Sequence, residues 1–319
     1  MSGYAFIFPG QGAQSVGMGQ DLANTFPAAK AVFDEVDSAL GENFSDLIWN
    51  GSEEQLTMTA NTQPALMAVS IAVMRTLENE FNVKPADAKF VAGHSLGEYS
   101  ALAAVGAIKL ADAAKLLRLR GEAMQDAVAA GEGAMAALLG ADQEQAEALV
   151  EIGRKVGACD IANDNAPGQI VISGSKAAID AACAAAGDVG IKKAVPLAVS
   201  APFHCSLMQP AQEKMQIALA DTKIIAPMAP LVANVTARPT EDPETIRKQL
   251  VEQVTGRVRW RESVEWMASE EGGALDLTVE AGAGKVLTTM NKRIARSLKG
   301  VALNAPADLE AFAKSLDEV

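Results

Sequence analysis

Phe90-Val91-Ala92-Gly93-His94-Ser95-Leu96-Gly97 is the stretch on which the reading of this chain turns. Its first four residues form a short apolar run suited to a buried strand, and the Ala-rich segment from Leu96 to Val105 suits a helix. Between them Gly93-x-Ser95-x-Gly97 fits the G-x-S-x-G elbow, whose glycines permit a tight, strained turn that lifts a serine hydroxyl off the edge of a sheet. The helix that follows offers backbone N–H groups to a developing oxyanion. Alone the string is weak, because it arises by chance and often marks only a turn. Set between strand and helix, it makes Ser95 a candidate nucleophile.

The same alternation extends in both directions. Upstream, Tyr4 to Phe8 is an apolar strand followed by the turn Pro9-Gly10-Gln11-Gly12-Ala13-Gln14, so the segment from Met1 to Gly12 reads as a first strand and not as a signal peptide. Helices are predicted over Pro27 to Leu40, Pro64 to Phe81 and Leu110 to Ala127, with Pro64 in a first turn where its missing N–H costs nothing. Strand, turn and helix in alternation imply an α/β fold with a mainly parallel sheet. From residue 131 to 199 the texture changes. Strands over Ala134 to Leu139, Gly157 to Ala162, Gln169 to Ser173 and Lys192 to Leu197 alternate with helices over Gln143 to Ile152 and Lys176 to Ala186. This βαββαβ order is the ferredoxin-like pattern. The expected organisation is therefore one large domain, residues 1–130 and 200–319, carrying a small insert at 131–199. Leu231 to Val235 and Leu275 to Glu280 read as returning strands of the large sheet.

Composition narrows the function. With 319 residues, 27 basic and 40 acidic side chains, the formal charge is −13, which argues against broad binding to nucleic acid or anionic lipid. No apolar run approaches the roughly 20 residues that span a bilayer. Cys159, Cys183 and Cys205 are scattered without CxxC spacing, so neither a disulfide framework nor a thiolate metal site is expected, and the chain reads as soluble and cytoplasmic. Only two histidines are present, which excludes a histidine-rich metal site and leaves His94 or His204 as any imidazole base. His94 adjoins Ser95 on a tight turn, where neighbouring side chains diverge, and reads as a packed support. His204, 109 residues beyond Ser95 in Ser200-Ala201-Pro202-Phe203-His204-Cys205, is the better base.

At this point the sequence resembles the bacterial malonyl-CoA:acyl carrier protein transacylases over nearly its whole length. The resemblance rests on Phe8-Pro9-Gly10-Gln11-Gly12-Ala13-Gln14, on Gly93 through Ala101, on Arg120 and on Asn165-Ala166-Pro167-Gly168-Gln169. It continues through Ala201-Pro202-Phe203-His204-Cys205, Gln253 with Val258-Arg259-Trp260, and Glu280-Ala281-Gly282-Ala283-Gly284-Lys285. It implies an α/β-hydrolase-like domain with a ferredoxin-like insert. Residue by residue, it makes Ser95 the acyl acceptor, His204 its base and acid, and the backbone N–H groups of Gln11 and Leu96 the oxyanion hole. The backbone carbonyl of Gln253 would orient the histidine in place of a carboxylate, which leaves the glutamine side chain less critical than its main chain.

Arg120 is the selectivity residue by the same resemblance, because a guanidinium binds a malonyl carboxylate through two parallel hydrogen bonds. On the helix from Leu110, Arg118 and Arg120 flank opposite edges of the apolar stripe and geometry does not choose between them. The spacing of 25 residues from Ser95, as in the family, favours Arg120. Phe203 matches malonyl-selective relatives. Asn165 would lie near the substrate, although an Asn-Ala-Pro-Gly turn also explains it structurally. The implied reaction is ping-pong transfer from malonyl-CoA to phosphopantetheinylated acyl carrier protein in fatty acid synthesis, by a monomer, without metal or other cofactor. Polyketide assembly is an alternative context, methylmalonyl an alternative group, and a serine hydrolase or a non-catalytic scaffold the rival readings. Lys285, Lys292, Arg293, Arg296 and Lys299 fall in a stretch from 281 to 306 without an acidic residue, and with Arg257, Arg259 and Arg261 they are candidates for docking the acidic carrier.

Overall fold

All five residues of Tyr4–Phe8 are buried, and alternate side chains point to opposite faces. Tyr4, Phe6 and Phe8 enter one apolar cluster, whereas Ala5 and Ile7 enter another. A strand covered on both faces reads as an unbroken apolar run, and that is why this one was legible. The computed structural model describes residues 3–317; residues 1 and 2 of the first predicted segment and residues 318 and 319 lie outside them.

Ten strands occur among the described residues: β1 (Tyr4–Phe8), β2 (Phe90–Gly93), β3 (Gly133–Leu139), β4 (Cys159–Ala166), β5 (Gln169–Ser175), β6 (Lys193–Pro196), β7 (Leu231–Val232), β8 (Pro239–Thr240), β9 (Leu277–Ala281) and β10 (Lys299–Leu303). The larger sheet has the order β10-β9-β1-β2-β7-β8 and is parallel except for the β7–β8 pair. The second sheet, β4-β5-β3-β6, is antiparallel throughout. The fold class is thus mixed α/β, with a parallel-rich sheet and a separate antiparallel one. No described helix is long and apolar enough to cross a membrane.

Helices cover both faces of the large sheet. Pro27–Leu40, Thr59–Phe81, Gly97–Ala104 and Leu110–Asp126 supply much of one apolar layer, and Trp260–Ala268 with Val286–Ile294 supply the other. Glu280, an acid inside a buried strand, accepts from the backbone N–H groups of Leu287 (3.0 Å) and Thr288 (2.7 Å) and so caps the helix Val286–Ile294.

Three expectations are corrected. The helix predicted from Pro64 begins at Thr59, which places the proline inside it. The early turn is held by Asn61 Nδ2 donating to Gln55 O and Thr62 Oγ1 to Leu56 O, and by the close approach of Gly121, where a Cβ would strike the backbone of Thr59 and Ala60. Packing there outweighs the hydrogen bond that proline cannot make. Secondly, β4 runs on to Ala166 and so includes Asn163, Asp164 and Asn165, with register shifts after Ile161 and after Asp164. Asn165 is therefore on a strand and not in a loop. Lastly, β8 and β10 join the large sheet without having been anticipated; β10 alternates exposed and half-buried residues along most of its length.

Candidate active site

Ser95 sits between β2 and the helix Gly97–Ala104 with φ 54°, the left-handed region that a non-glycine residue occupies at a cost. A Cβ on Gly93 would collide with the backbone of Gly97, and one on Gly97 with the carbonyl of Phe8, so both glycines of the elbow are sterically required. Asn234 clamps the turn. Its Oδ1 accepts from the Ser95 N–H at 2.8 Å, and its Nδ2 donates to the Gly93 carbonyl at 2.6 Å.

Ser95 Oγ lies 2.7 Å from His204 Nε2. His204 also has a positive φ, 56°, and its Nδ1 faces the carbonyl oxygens of Gln253 at 2.9 Å and Gly256 at 3.1 Å. Both partners are acceptors only, so Nδ1 carries the proton and Nε2 is free to accept one from the serine. Among the described residues no carboxylate bonds this imidazole. Burial, reinforced by the positive charge of Arg120, pushes its pKa down to about 3, which keeps it neutral at physiological pH.

Arg120 is 1% exposed. Its Nη1 donates to Gln63 Oε1 at 2.8 Å, and its Nη2 donates to Gln253 Oε1 at 2.8 Å and to Ser95 Oγ at 3.2 Å. Its Nε has no partner among the described residues. Burial lowers the guanidinium pKa from its ordinary value, yet an arginine begins so high that it stays charged. Arg118, left open by helix geometry, points elsewhere: it pairs with Glu42, donates to Asn61 and lies 4.9 Å from the Phe44 ring centre.

A cavity of about 290 Å³ joins these groups, lined by Gln11, Gln63, His94, Ser95, Leu96, Arg120, Met135, Asn163, Asn165, Phe203 and His204 among others. Gln11 and Leu96 border this space, and their backbone N–H groups have no backbone acceptor among the described residues. His94 turns away from the serine–histidine pair, its Nε2 2.8 Å from Asn165 Oδ1 and its ring 5.8 Å from that of Trp260. It packs as a support, and burial lowers its pKa. Every residue singled out from sequence for the site thus borders one cavity, except Gln253, which reaches the cavity through its contacts to His204 and Arg120.

Sequence reasoning missed Gln63, Glu98 and Asn234, none of which carries a local signal. It also undervalued the Gln253 side chain, which accepts from Arg120 and donates through Nε2 to Ser95 O at 2.9 Å and to Glu98. Among the described residues no three His, Cys, Asp or Glu side chains converge as metal ligands would. The cysteines are unpaired, with Cys159 and Cys205 buried; burial pushes the Cys159 thiol up to about 12.

The basic stretch divides into two. Lys285, Lys292, Arg293, Arg296 and Lys299 are exposed and none enters an ion pair among the described residues. Arg293 instead donates to Gln169 Oε1 and the Pro167 carbonyl, both at 3.1 Å; these partners carry no charge and follow Asn165 closely in sequence. Lys285, Arg293, Val286 and Met290 border a groove of about 310 Å³. In the second cluster, Arg259 is paired with Glu262, and Arg261 with Asp164 and Glu265. The charge of both is thus compensated locally.

A hydroxyl aligned on a neutral imidazole and a buried cation beside it suit transfer of an acyl group that ends in an anion. Comparison with known proteins gives the chemistry its context. Residues 5–302 match the model of the acyl transferase domain family. A malonyl CoA-acyl carrier protein transacylase of Bacillus subtilis is 44% identical, over 100% of this chain and 98% of its own length. The crystal structure of an acyl-carrier-protein-S-malonyltransferase from Bartonella henselae superposes with a TM-score of 0.95 at 51% identity, covering 99% of each chain. A malonyl-transacylase solved in complex with its type II PKS acyl-carrier protein superposes with a TM-score of 0.93 at 40% identity, covering 98% of this chain and 99% of that one.

Proposed function

The chain belongs to the acyl transferase domain family, among the bacterial malonyl-CoA:acyl carrier protein transacylases, and from that premise we propose that it moves malonyl groups by way of a malonyl-serine ester. Ser95 Oγ attacks the thioester carbonyl of malonyl-CoA while His204 Nε2 takes the hydroxyl proton. The oxyanion is held by the N–H groups of Gln11 and Leu96. On collapse the C–S bond breaks, and the imidazolium returns its proton to the departing CoA thiolate. The phosphopantetheine thiol of acyl carrier protein then enters, gives its proton to His204 and attacks the ester. Malonyl leaves on the carrier, and Ser95 recovers its proton.

The observation that carries this reading is the Arg120 guanidinium, buried and 3.2 Å from the nucleophilic oxygen. A cation held there with no salt-bridge partner among the described residues is suited to the free carboxylate of a malonyl group. Phe203 and Asn165 line the same space, and the chemistry draws on protein groups and the two substrates without a further cofactor. The test is transfer from a panel of acyl-CoAs to carrier protein. Malonyl should exceed acetyl strongly in the wild type, and Arg120→Ala should lower kcat/KM for malonyl by about 10²- to 10³-fold, the scale for losing one partner of a buried charge pair. An unchanged malonyl preference would refute the role.

Further parts of the reading rest on arrangement. The exposed surface around Lys292 and Arg293 would dock the carrier protein, its positive charge set against a partner of opposite sign. Residues 131–199 would form a ferredoxin-like insert in an α/β-hydrolase-like domain, 1–130 with 200–319; in support, one apolar cluster is drawn wholly from residues within that span. A monomer working in the cytoplasm, in fatty acid synthesis, completes the proposal.

A further inference from the structure

Glu98 is a carboxylate with 1% exposure, one residue into the helix behind the nucleophile, and the reaction just described does not use it. One carboxylate oxygen, Oε1, accepts from the Asn234 N–H at 3.2 Å, and the other, Oε2, accepts from Gln253 Nε2. Asn234 in turn holds the Ser95 N–H, and Gln253 Oε1 accepts from Arg120. One buried acid therefore reaches the elbow through one neighbour and the arginine through another.

We propose that Glu98 is a positioning residue for acyl-group selectivity, fixing the Gln253 amide in the one orientation that holds Arg120 in place. Gln253 Nε2 spends both N–H donors, on Ser95 O and on Glu98, so its Oε1 must face the guanidinium. Turned over, the amide would set its oxygen against a carbonyl and a carboxylate, and its NH₂ against a cation. Each of those contacts is repulsive, and burial amplifies them. Replacing the carboxylate by an amide removes the lock. Residue 98 would then keep its oxygen on the Asn234 N–H and present NH₂ to Gln253. The glutamine would either face donor with donor or flip and direct its own donors at Arg120.

This inference rests on the reading of Arg120 as the carboxylate ligand, and the experiment separates the two. Steady-state kcat/KM is measured for malonyl-CoA and acetyl-CoA with wild type, Glu98→Gln, Gln253→Ala, the double variant and Arg120→Ala, with thermal unfolding and labelling of Ser95 by a fluorophosphonate as checks on fold and nucleophile. Glu98→Gln should lower malonyl kcat/KM by about 10- to 100-fold, the scale of one hydrogen bond to a charged group, while acetyl transfer and labelling change little. The double variant should be no worse than Gln253→Ala, because both act along one chain of bonds. Should Glu98→Gln fail to fold, Gln253→Ala alone must still erode the malonyl preference. An unchanged malonyl-to-acetyl ratio in the folded variants, or losses that multiply in the double, overturns the proposal. If Arg120→Ala also leaves the ratio unchanged, the reading of Arg120 fails first.

Discussion

His204 Nδ1 donates to the main-chain carbonyl of Gln253 across 2.9 Å, where serine–histidine sites of the triad type use a carboxylate. A carbonyl fixes the tautomer as firmly as an acid does, since it can only accept. It supplies no negative charge to stabilise an imidazolium, and the positive Arg120 nearby works against one.

The orienting atom belongs to the backbone, so no side-chain substitution at position 253 deletes it. Gln253→Ala should therefore retain labelling of Ser95 by a fluorophosphonate within a few-fold. His204→Ala should lose roughly 10³-fold or more, the order seen on removing a catalytic base. Equal losses in the two variants would assign the orientation of His204 to the glutamine side chain.

The pH dependence follows from two buried groups shifted in opposite senses. His204, lowered to about 3, is neutral and competent as a base throughout the range above that value. Single-turnover malonyl loading should thus show no limb near 6.5. Burial raises Glu98 to about 7, with Arg120 and Tyr99 as its charged and titratable neighbours. Any limb near 7 belongs to it and should vanish in Glu98→Gln. Stability responds accordingly. The His204 contribution is present above its unfolded value of 6.5 and is lost as pH falls towards 3. That of Glu98 is present below its unfolded value of 4.5 and is lost as pH rises through about 7. Stopped-flow loading from pH 5 to 9 on both enzymes checks the kinetic part; a 6.5 limb that survives in Glu98→Gln would contradict it.

Charge reversal at Lys292 or Arg293 should raise KM for carrier protein while malonyl loading from CoA stays unchanged. Raised salt should shrink the difference, because exposed charges are screened. Reversal at Arg261 is expected to act otherwise, destabilising the fold through its buried partner Asp164, whose side chain is 3% exposed. Thermal unfolding separates the two classes, and an unaltered carrier KM at low salt would discard the surface.

What could be read from sequence was what is locally encoded. The strands β1 and β2 are unbroken apolar runs buried on both faces, and the elbow announces itself by its glycines. The βαββαβ alternation was visible because each antiparallel strand keeps one face on its own helices. Asn165 was misplaced because β4 ends in a polar, twice-shifted stretch in which Asn163 and Asn165 line the cavity and Asp164 pairs with Arg261, so no run of apolar residues marks the strand. Glu98 resembles any acid in a first helical turn, and only packing reveals that water is excluded from it. Gln63, Asn234 and Gln253 reach the site from segments far apart in sequence, so their hydrogen bonds exist only once the chain has folded.

The most direct measurement is the mass of the protein after brief exposure to malonyl-CoA without carrier protein, followed by peptide mapping. One malonyl group should be found on the peptide containing Ser95, discharged on addition of the carrier thiol and absent from Ser95→Ala. Transfer that proceeds without such an adduct, or an adduct that persists in Ser95→Ala, would contradict the malonyl-serine route.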